Sequence, residues 1–207
     1  MKKYNYLLIS VLILFSNAVF AGDAFDGFFS QVGAGLSRVT YQLTTAAYDS
    51  GGSHFPATAE NSSDDNATAS LSLGYSKSFS NNLNLGLTGF YIYGDQKGEL
   101  TNSDFQLKLK NIFGLSLEPG YSLDPKTLVY IKLGYVHTDL NLSSGGQSAN
   151  LPVGGYVYGF GTKHLIKNNM FIGTEISNYV FTLNKYNSIN TLNPNFIFAG
   201  VNLGYIF

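Results

Sequence analysis

Hydrophobic and polar positions alternate with period two along most of the chain after residue 26, and the alternation is plain in the segment NFIFAGVNLGYIF, Asn195 to Phe207. Ile197, Ala199, Val201, Leu203, Tyr205 and Phe207 fall on one face, and Phe198, Gly200, Asn202 and Gly204 on the other. Soluble strands run to about five or six residues. A run of about a dozen instead matches the roughly ten tilted residues with which a strand crosses a bilayer.

The same period predicts seven further strands. The first, Asp26 to Leu43, sets Val32, Ala34 and Leu36 against Gln31, Gly33, Gly35 and Ser37. Its apolar set then moves to Val39, Tyr41 and Leu43, a phase change that predicts either a bulge or the strand leaving the membrane. Strand two, Thr68 to Lys77, sets Leu71, Leu73 and Tyr75 outward. Strand three does so with Leu83, Leu85, Leu87, Gly89, Tyr91 and Tyr93. In strand four a single outward phase carries Phe105, Leu107, Leu109, Phe113, Leu115, Leu117, Tyr121 and Leu123, with Lys108, Lys110 and Glu118 inward. Strand five, from Thr127, places Val129, Ile131, Leu133 and Tyr135 outward and Tyr130, Lys132 and Gly134 inward. Strand six carries Tyr156, Tyr158 and Phe160 against Gly155, Val157, Gly159, Gly161 and Lys163. Strand seven, Met170 to Val180, sets Ile172, Thr174 and Ile176 against Gly173, Glu175 and Ser177.

The connections alternate long and short. Residues 44–66, 94–102, 142–150 and 181–194 read as long polar loops, while 78–82, 124–126 and 167–169 read as tight turns, one with Pro125 supplying its fixed φ. Short turns on one side, longer loops on the other and an even strand count describe an outer-membrane barrel. A soluble eight-stranded barrel of lipocalin type alternates as well, but its charged face would point to water. Here the face opposite Leu, Tyr and Phe is mostly Gly, Ser and Asn, a poor soluble core and a suitable lumen. The expected fold is all-β: an eight-stranded antiparallel up-and-down transmembrane β-barrel over residues 22–207.

Composition sharpens this picture. The chain holds 23 Gly, 15 Tyr and 16 Phe and no Trp, which suits a crowded lumen and two aromatic girdles. Cys is absent, so disulfides and thiolate metal sites are excluded. The net charge of −1 comes without a Lys/Arg cluster and speaks against nucleic acid as a partner. Residues 1–21 read as a cleavable export signal, with Lys2 and Lys3 ahead of the apolar run Leu7 to Phe15 and a small-residue site at Val19-Phe20-Ala21.

The segments FGLSLEPGYSLDPKTLVYIKLGY, Phe113 to Tyr135, and Gly154 to Glu175 resemble the eight-stranded outer-membrane β-barrel family of OmpA-type, OmpX-type and opacity-type surface proteins. The shared features are a Pro-Gly-Tyr strand, a turn, a Lys-x-Gly-Tyr strand, and a Gly-rich strand whose hairpin partner carries a Glu. The resemblance implies residence in the outer membrane of a Gram-negative bacterium, among its lipids and lipopolysaccharide. It also implies that the outward row Val201, Leu203, Tyr205 and Phe207 serves as the signal read by the barrel-assembly machinery. It specifies architecture and leaves the activity open.

Candidate chemistry is sparse. Pairing through the Asp124 turn puts Glu118 opposite Lys132, both inward, with Glu175 near enough to join them; the group is expected as a structural plug rather than a gate. Arg38, outward near the far end of the first strand, is placed either to snorkel or to contact lipopolysaccharide phosphate. Of the three histidines, His54 lies in a loop and His164 by a short turn. His137 shares a strand face with Asp139, and Ser143 and Ser144 lie just beyond. No cofactor or metal site is expected, although the acidic side chains of the first loop offer oxygens to a divalent cation. The expected role is structural or surface-interacting, through the extracellular loops, without catalysis. The alternatives are an enzyme that modifies lipid A and a narrow porin-like channel.

Overall fold

The computed structural model describes residues 24–45, 47–50, 53–55, 58–79, 82–94, 96–99, 106–144, 147–181 and 190–207. They form β1 (Gly27–Thr45), β2 (Tyr48–Ser50), β3 (Ser53–Phe55), β4 (Thr58–Ser78), β5 (Leu83–Tyr93) and β6 (Gln96–Glu99). After these come β7 (Gln106–Asp124), β8 (Thr127–Ser144), β9 (Gln147–Leu165), β10 (Met170–Phe181) and β11 (Asn190–Ile206). Eight strands, β1, β4, β5, β7, β8, β9, β10 and β11, pair antiparallel in chain order. β1 closes on β11 from Phe29↔Ile206 to Thr45↔Asn190. A closed sheet leaves no unpaired edge in hydrocarbon, which is the condition for crossing a bilayer with strands. β6 extends the wall by pairing with β7, and β2 and β3 form a small separate hairpin. The expected signal, residues 1–21, lies outside the described residues.

The wall has two zones. Toward the tight turns its outer face is apolar: Phe28, Val32 and Leu36 on β1, Leu71, Leu73 and Tyr75 on β4, and Ile131, Leu133 and Tyr135 on β8 are all exposed. Beyond Leu36, Tyr93, Phe113 and Tyr156 the polarity inverts. The apolar side chains turn inward and pack Tyr41, Ile92, Leu109, Leu140, Tyr179 and Phe196 into one buried cluster. A second, smaller cluster of Phe25, Phe29, Leu128, Leu165, Phe171 and Ile206 fills the mouth on the tight-turn side. Strands of 17 to 21 residues thus cross the membrane with one part and stand above it with the other.

This inversion explains where the sequence pattern misleads. β1 keeps an unbroken register with β4 and β11 through Thr45, so its phase change is not a bulge. Val39 and Tyr41, both fully buried, face inward because the strand has left the lipid. In β7 a real bulge lies between Lys110 and Phe113, where Asn111 adopts a φ of 53°. It places Leu107 and Leu109 inside, at 2% and 0% exposure, and moves Lys108 and Lys110 off the lumen face, contrary to the single outward phase expected. The long loops also shrink. β4 begins at Thr58, β6 occupies 96–99, and β8 and β9 pair as far as Ser144↔Gln147. Above the membrane a strand needs no apolar outer face, so the polar composition that reads as loop is compatible with pairing. Residues 182–189 lie outside the described ones.

Candidate lumen charge network

Between the two apolar clusters the lumen holds, among the described residues, four buried charged side chains, each from the inward phase of a different strand. Glu118 comes from β7, Lys132 from β8, Lys163 from β9 and Glu175 from β10. The Lys132 ammonium lies 2.7 Å from Glu175 Oε1. Glu175 also accepts hydrogen bonds from Tyr130 (3.0 Å) and from Ser177 (2.7 Å), so its carboxylate is held by three donors. Lys163 donates to Glu118 Oε2 at 2.9 Å. Each cation also sits over aromatic rings: Lys132 is 4.5 Å from the Phe90 centroid, and Lys163 is 4.2 Å from Phe29 and 4.8 Å from Tyr130. Two positive and two negative groups cancel, which is what a poorly hydrated interior demands.

Glycine makes room for the network. Gly161 stands across from Tyr130, and a Cβ there would fall 2.5 Å from the Tyr130 ring. The bare backbone leaves the Tyr130 ring room to reach Glu175 with its hydroxyl while Lys163 sits over it.

The expected pairing needs correction. Register pairs Gly120↔Tyr130 and Leu117↔Leu133 do set position 118 across from 132. The carboxylate of Glu118, however, goes to Lys163, and Lys132 goes to Glu175. Two hydroxyls hold the Glu175 carboxylate charged and oriented where Lys132 reaches it, and Glu118 then matches the remaining cation. Lys163 was absent from the expected group although its inward phase was legible. A lysine this close to a turn reads as solvated, and while Phe171 is a hairpin neighbour, Phe29 and Tyr130 come from β1 and β8.

Other candidates lie apart. Arg38 faces outward and forks onto Asp65 through Nε and Nη2, with bonds of 2.7 and 2.9 Å. His137 also faces outward, its ring 5.2 Å from that of Phe113. Asp139 instead receives a bond from Asn111 (2.9 Å), whose Oδ1 accepts from Tyr91. Among the described residues His137 makes no hydrogen bond to Asp139, and Ser143 donates to Asn141. His54 pairs with Asp49 across the β2–β3 hairpin, and His164 lies 3.0 Å from the Thr127 hydroxyl. Among the described residues no three His, Asp or Glu side chains gather as a metal site. On β11, Val201, Leu203 and Tyr205 point to lipid, and Phe207 donates its N–H to the Phe28 carbonyl at 2.8 Å.

Residues 7–207 match the family model of the outer membrane protein beta-barrel domain. The chain belongs to that family. Membership places it in the bacterial outer membrane, and with it the rule that tight turns face the periplasm and longer connections the exterior. Among solved structures it is similar to Neisserial surface protein A, with 15% identity, 88% of this chain and 98% of that one covered, and a TM-score of 0.50. It is similar also to the outer membrane protease OmpT from Escherichia coli, at 8% identity, 91% and 99% coverage and a TM-score of 0.51. The attachment invasion locus protein Ail of Yersinia pestis gives 16%, 87%, 99% and 0.46. At such identities the likeness concerns the barrel alone. No curated protein matches this chain in sequence.

Proposed function

We propose that the protein is a closed outer-membrane anchor acting at the cell surface, in adhesion or envelope integrity, through the strands and loops it raises above the membrane and without catalysis. The observation that carries this reading is the stacking inside the barrel. An apolar cluster lies on each side of a neutralised charge network, so a polar path has nowhere to run. An interior of eight strands is in any case just filled by side chains. Packed above the lipid, the outer cluster makes the projecting part a rigid platform for its connections. The lipid A enzyme draws no support from His137, which has no bond to Asp139, and the channel draws none from the sealed lumen.

Export by residues 1–21, assembly through Val201, Leu203, Tyr205 and Phe207, and contact of Arg38 with lipopolysaccharide belong to the same proposal. Intact cells carrying wild-type protein, or protein with residues 46–57 replaced by a two-residue turn, test it against host matrix, serum factors and neighbouring cells. Binding that disappears with the replaced segment, at equal surface levels, is the expected result. Equal binding, or a changed lipid A mass profile in His137→Ala cells, would overturn it.

A further inference from the structure

The outer wall carries a groove of about 400 Å³ on its lipid side, lined by Ser30, Leu73, Tyr75, Leu87, Gly89 and Leu115, with Phe28 and Phe207 at its rim. Register shows how it arises. Tyr205, Ser30, Leu73, Gly89 and Leu115 follow one another across five strands in a single cross-strand row. Large side chains in that row are interrupted twice, by a serine and by a residue with no side chain. The next row toward the periplasm, Phe28, Tyr75, Leu87 and Leu117, is uninterrupted and forms a step below it.

We propose that this groove holds one acyl chain of a glycerophospholipid from the periplasmic leaflet. Its lining is apolar, so water there would lack hydrogen-bond partners, while an unfilled void would forfeit dispersion contacts on one side. The surrounding phase offers hydrocarbon chains. The groove runs from the Phe28–Tyr75 aromatic rim, whose rings are 5.0 Å apart, away from the periplasmic side to Gly89 and Leu115. Aromatic belts mark the headgroup level. Lys77, the next outward residue on β4, is held there by Asp26. A chain entering at that rim therefore hangs from the periplasmic side, not from lipid A. A second barrel would bring a convex wall to a concave site and touch only its edges.

Native mass spectrometry of protein extracted from membranes in mild detergent tests the assignment. A Cβ on Gly89 would meet Leu115 Cδ2 and the Leu73 carbonyl at 3.5 and 3.8 Å, ordinary contacts, so Gly89→Leu fills the groove without disturbing the backbone. Wild-type protein should retain one adduct with the mass of an intact phospholipid, and Gly89→Leu should lower its occupancy by about tenfold. Ser30→Leu, which fills the groove from the neighbouring strand, should do the same and stands in if the first variant fails to show a heat-modifiable band. Equal adduct in wild type and both variants, an adduct with the mass of lipid A or of a free fatty acid, or a dimer abolished by Gly89→Leu would each overturn the proposal.

Discussion

Glu118 and Lys163 are 45 residues apart in sequence and sit on strands that do not pair, yet their charged atoms lie 2.9 Å apart across the lumen. β8 runs between their strands, and only the curvature of a narrow closed barrel brings them together. Strand-by-strand pairing favours the nearer partner, Lys132, and closure selects the farther one.

The two ion pairs should therefore couple separately. Breaking a buried pair costs on the order of 3–5 kcal/mol, because the remaining charge is left unmatched. Lys163→Met should lower the unfolding midpoint in urea, and Glu118→Gln in the same protein should recover part of that loss. Lys132→Met and Glu175→Gln should form an equally coupled cycle. The mixed cycle of Lys132 with Glu118 should show a smaller interaction energy than either. Strictly additive losses within each ion pair would show that these contacts do not form.

Neutralising the network should not open the barrel. Glu118→Gln with Lys163→Met leaves the outer cluster around Tyr179 and Phe196 and the inner cluster around Phe29 and Phe171 in place. In planar bilayers both this variant and the wild type should lack a steady conductance. A stable open level in the double variant would mean that the charges, rather than the apolar layers, form the seal.

The outer cluster should behave as a soluble core. Leu109, fully buried above the membrane, should cost about 2–5 kcal/mol when changed to alanine, from lost transfer and the cavity left behind. Leu115, exposed to lipid on the same strand, should cost much less, since lipid refills the space. Thermal unfolding in one detergent compares the two. Equal losses would mean that the projecting half is not packed.

Much of this architecture was legible in the chain. The outward rows of β11 from Ile197 to Tyr205 and of β5 from Leu83 to Tyr93 survive intact because each faces lipid along that length. Legibility fails where the environment changes along a strand. Val39 and Tyr41 obey the same period as Val32 and Leu36 but answer to water outside instead of lipid. Asn111 was the available signal for the bulge in β7, a residue tolerant of left-handed backbone in the middle of an apolar run. Lys163 could be placed on the inward face but not assigned a partner, since its contacts depend on barrel closure and not on neighbours in sequence.

On the periplasmic side, Asp26 should contribute an acid-sensitive increment of stability. Burial raises its pKa, but hydrogen bonds from the Lys77 ammonium and from Ser78 outweigh that and leave it below the usual carboxylate value. A folded-state pKa held below the unfolded one gives stabilisation that is complete above the unfolded pKa and is lost as pH falls through the folded one. Asp26→Asn should therefore be less stable than wild type at neutral pH and converge with it in acid. A constant difference across that range would show that the carboxylate charge is not what matters.

The aromatic end of β11 should govern assembly more than final stability. Val201, Leu203 and Tyr205 present an outward row to lipid, and Phe207 extends it at the periplasmic boundary, its ring 5.2 Å from Tyr205. Its N–H also makes the seam's contact with Phe28. Replacing the side chain leaves that backbone bond in place and removes only the ring. In folded protein the cost of a half-buried ring at an interface is modest, because lipid covers what is exposed. On the proposed assembly role the row is read before β1 has closed on β11, so recognition would rest on its outward side chains. Phe207→Ala should therefore slow the appearance of the SDS-resistant, heat-modifiable band in pulse-labelled cells while leaving the unfolding midpoint of purified protein nearly unchanged. Phe207→Tyr, which keeps an amphipathic ring at headgroup level, should restore the rate. Normal assembly of Phe207→Ala would remove Phe207 from the signal, and a large drop in midpoint at a normal assembly rate would make its role one of packing.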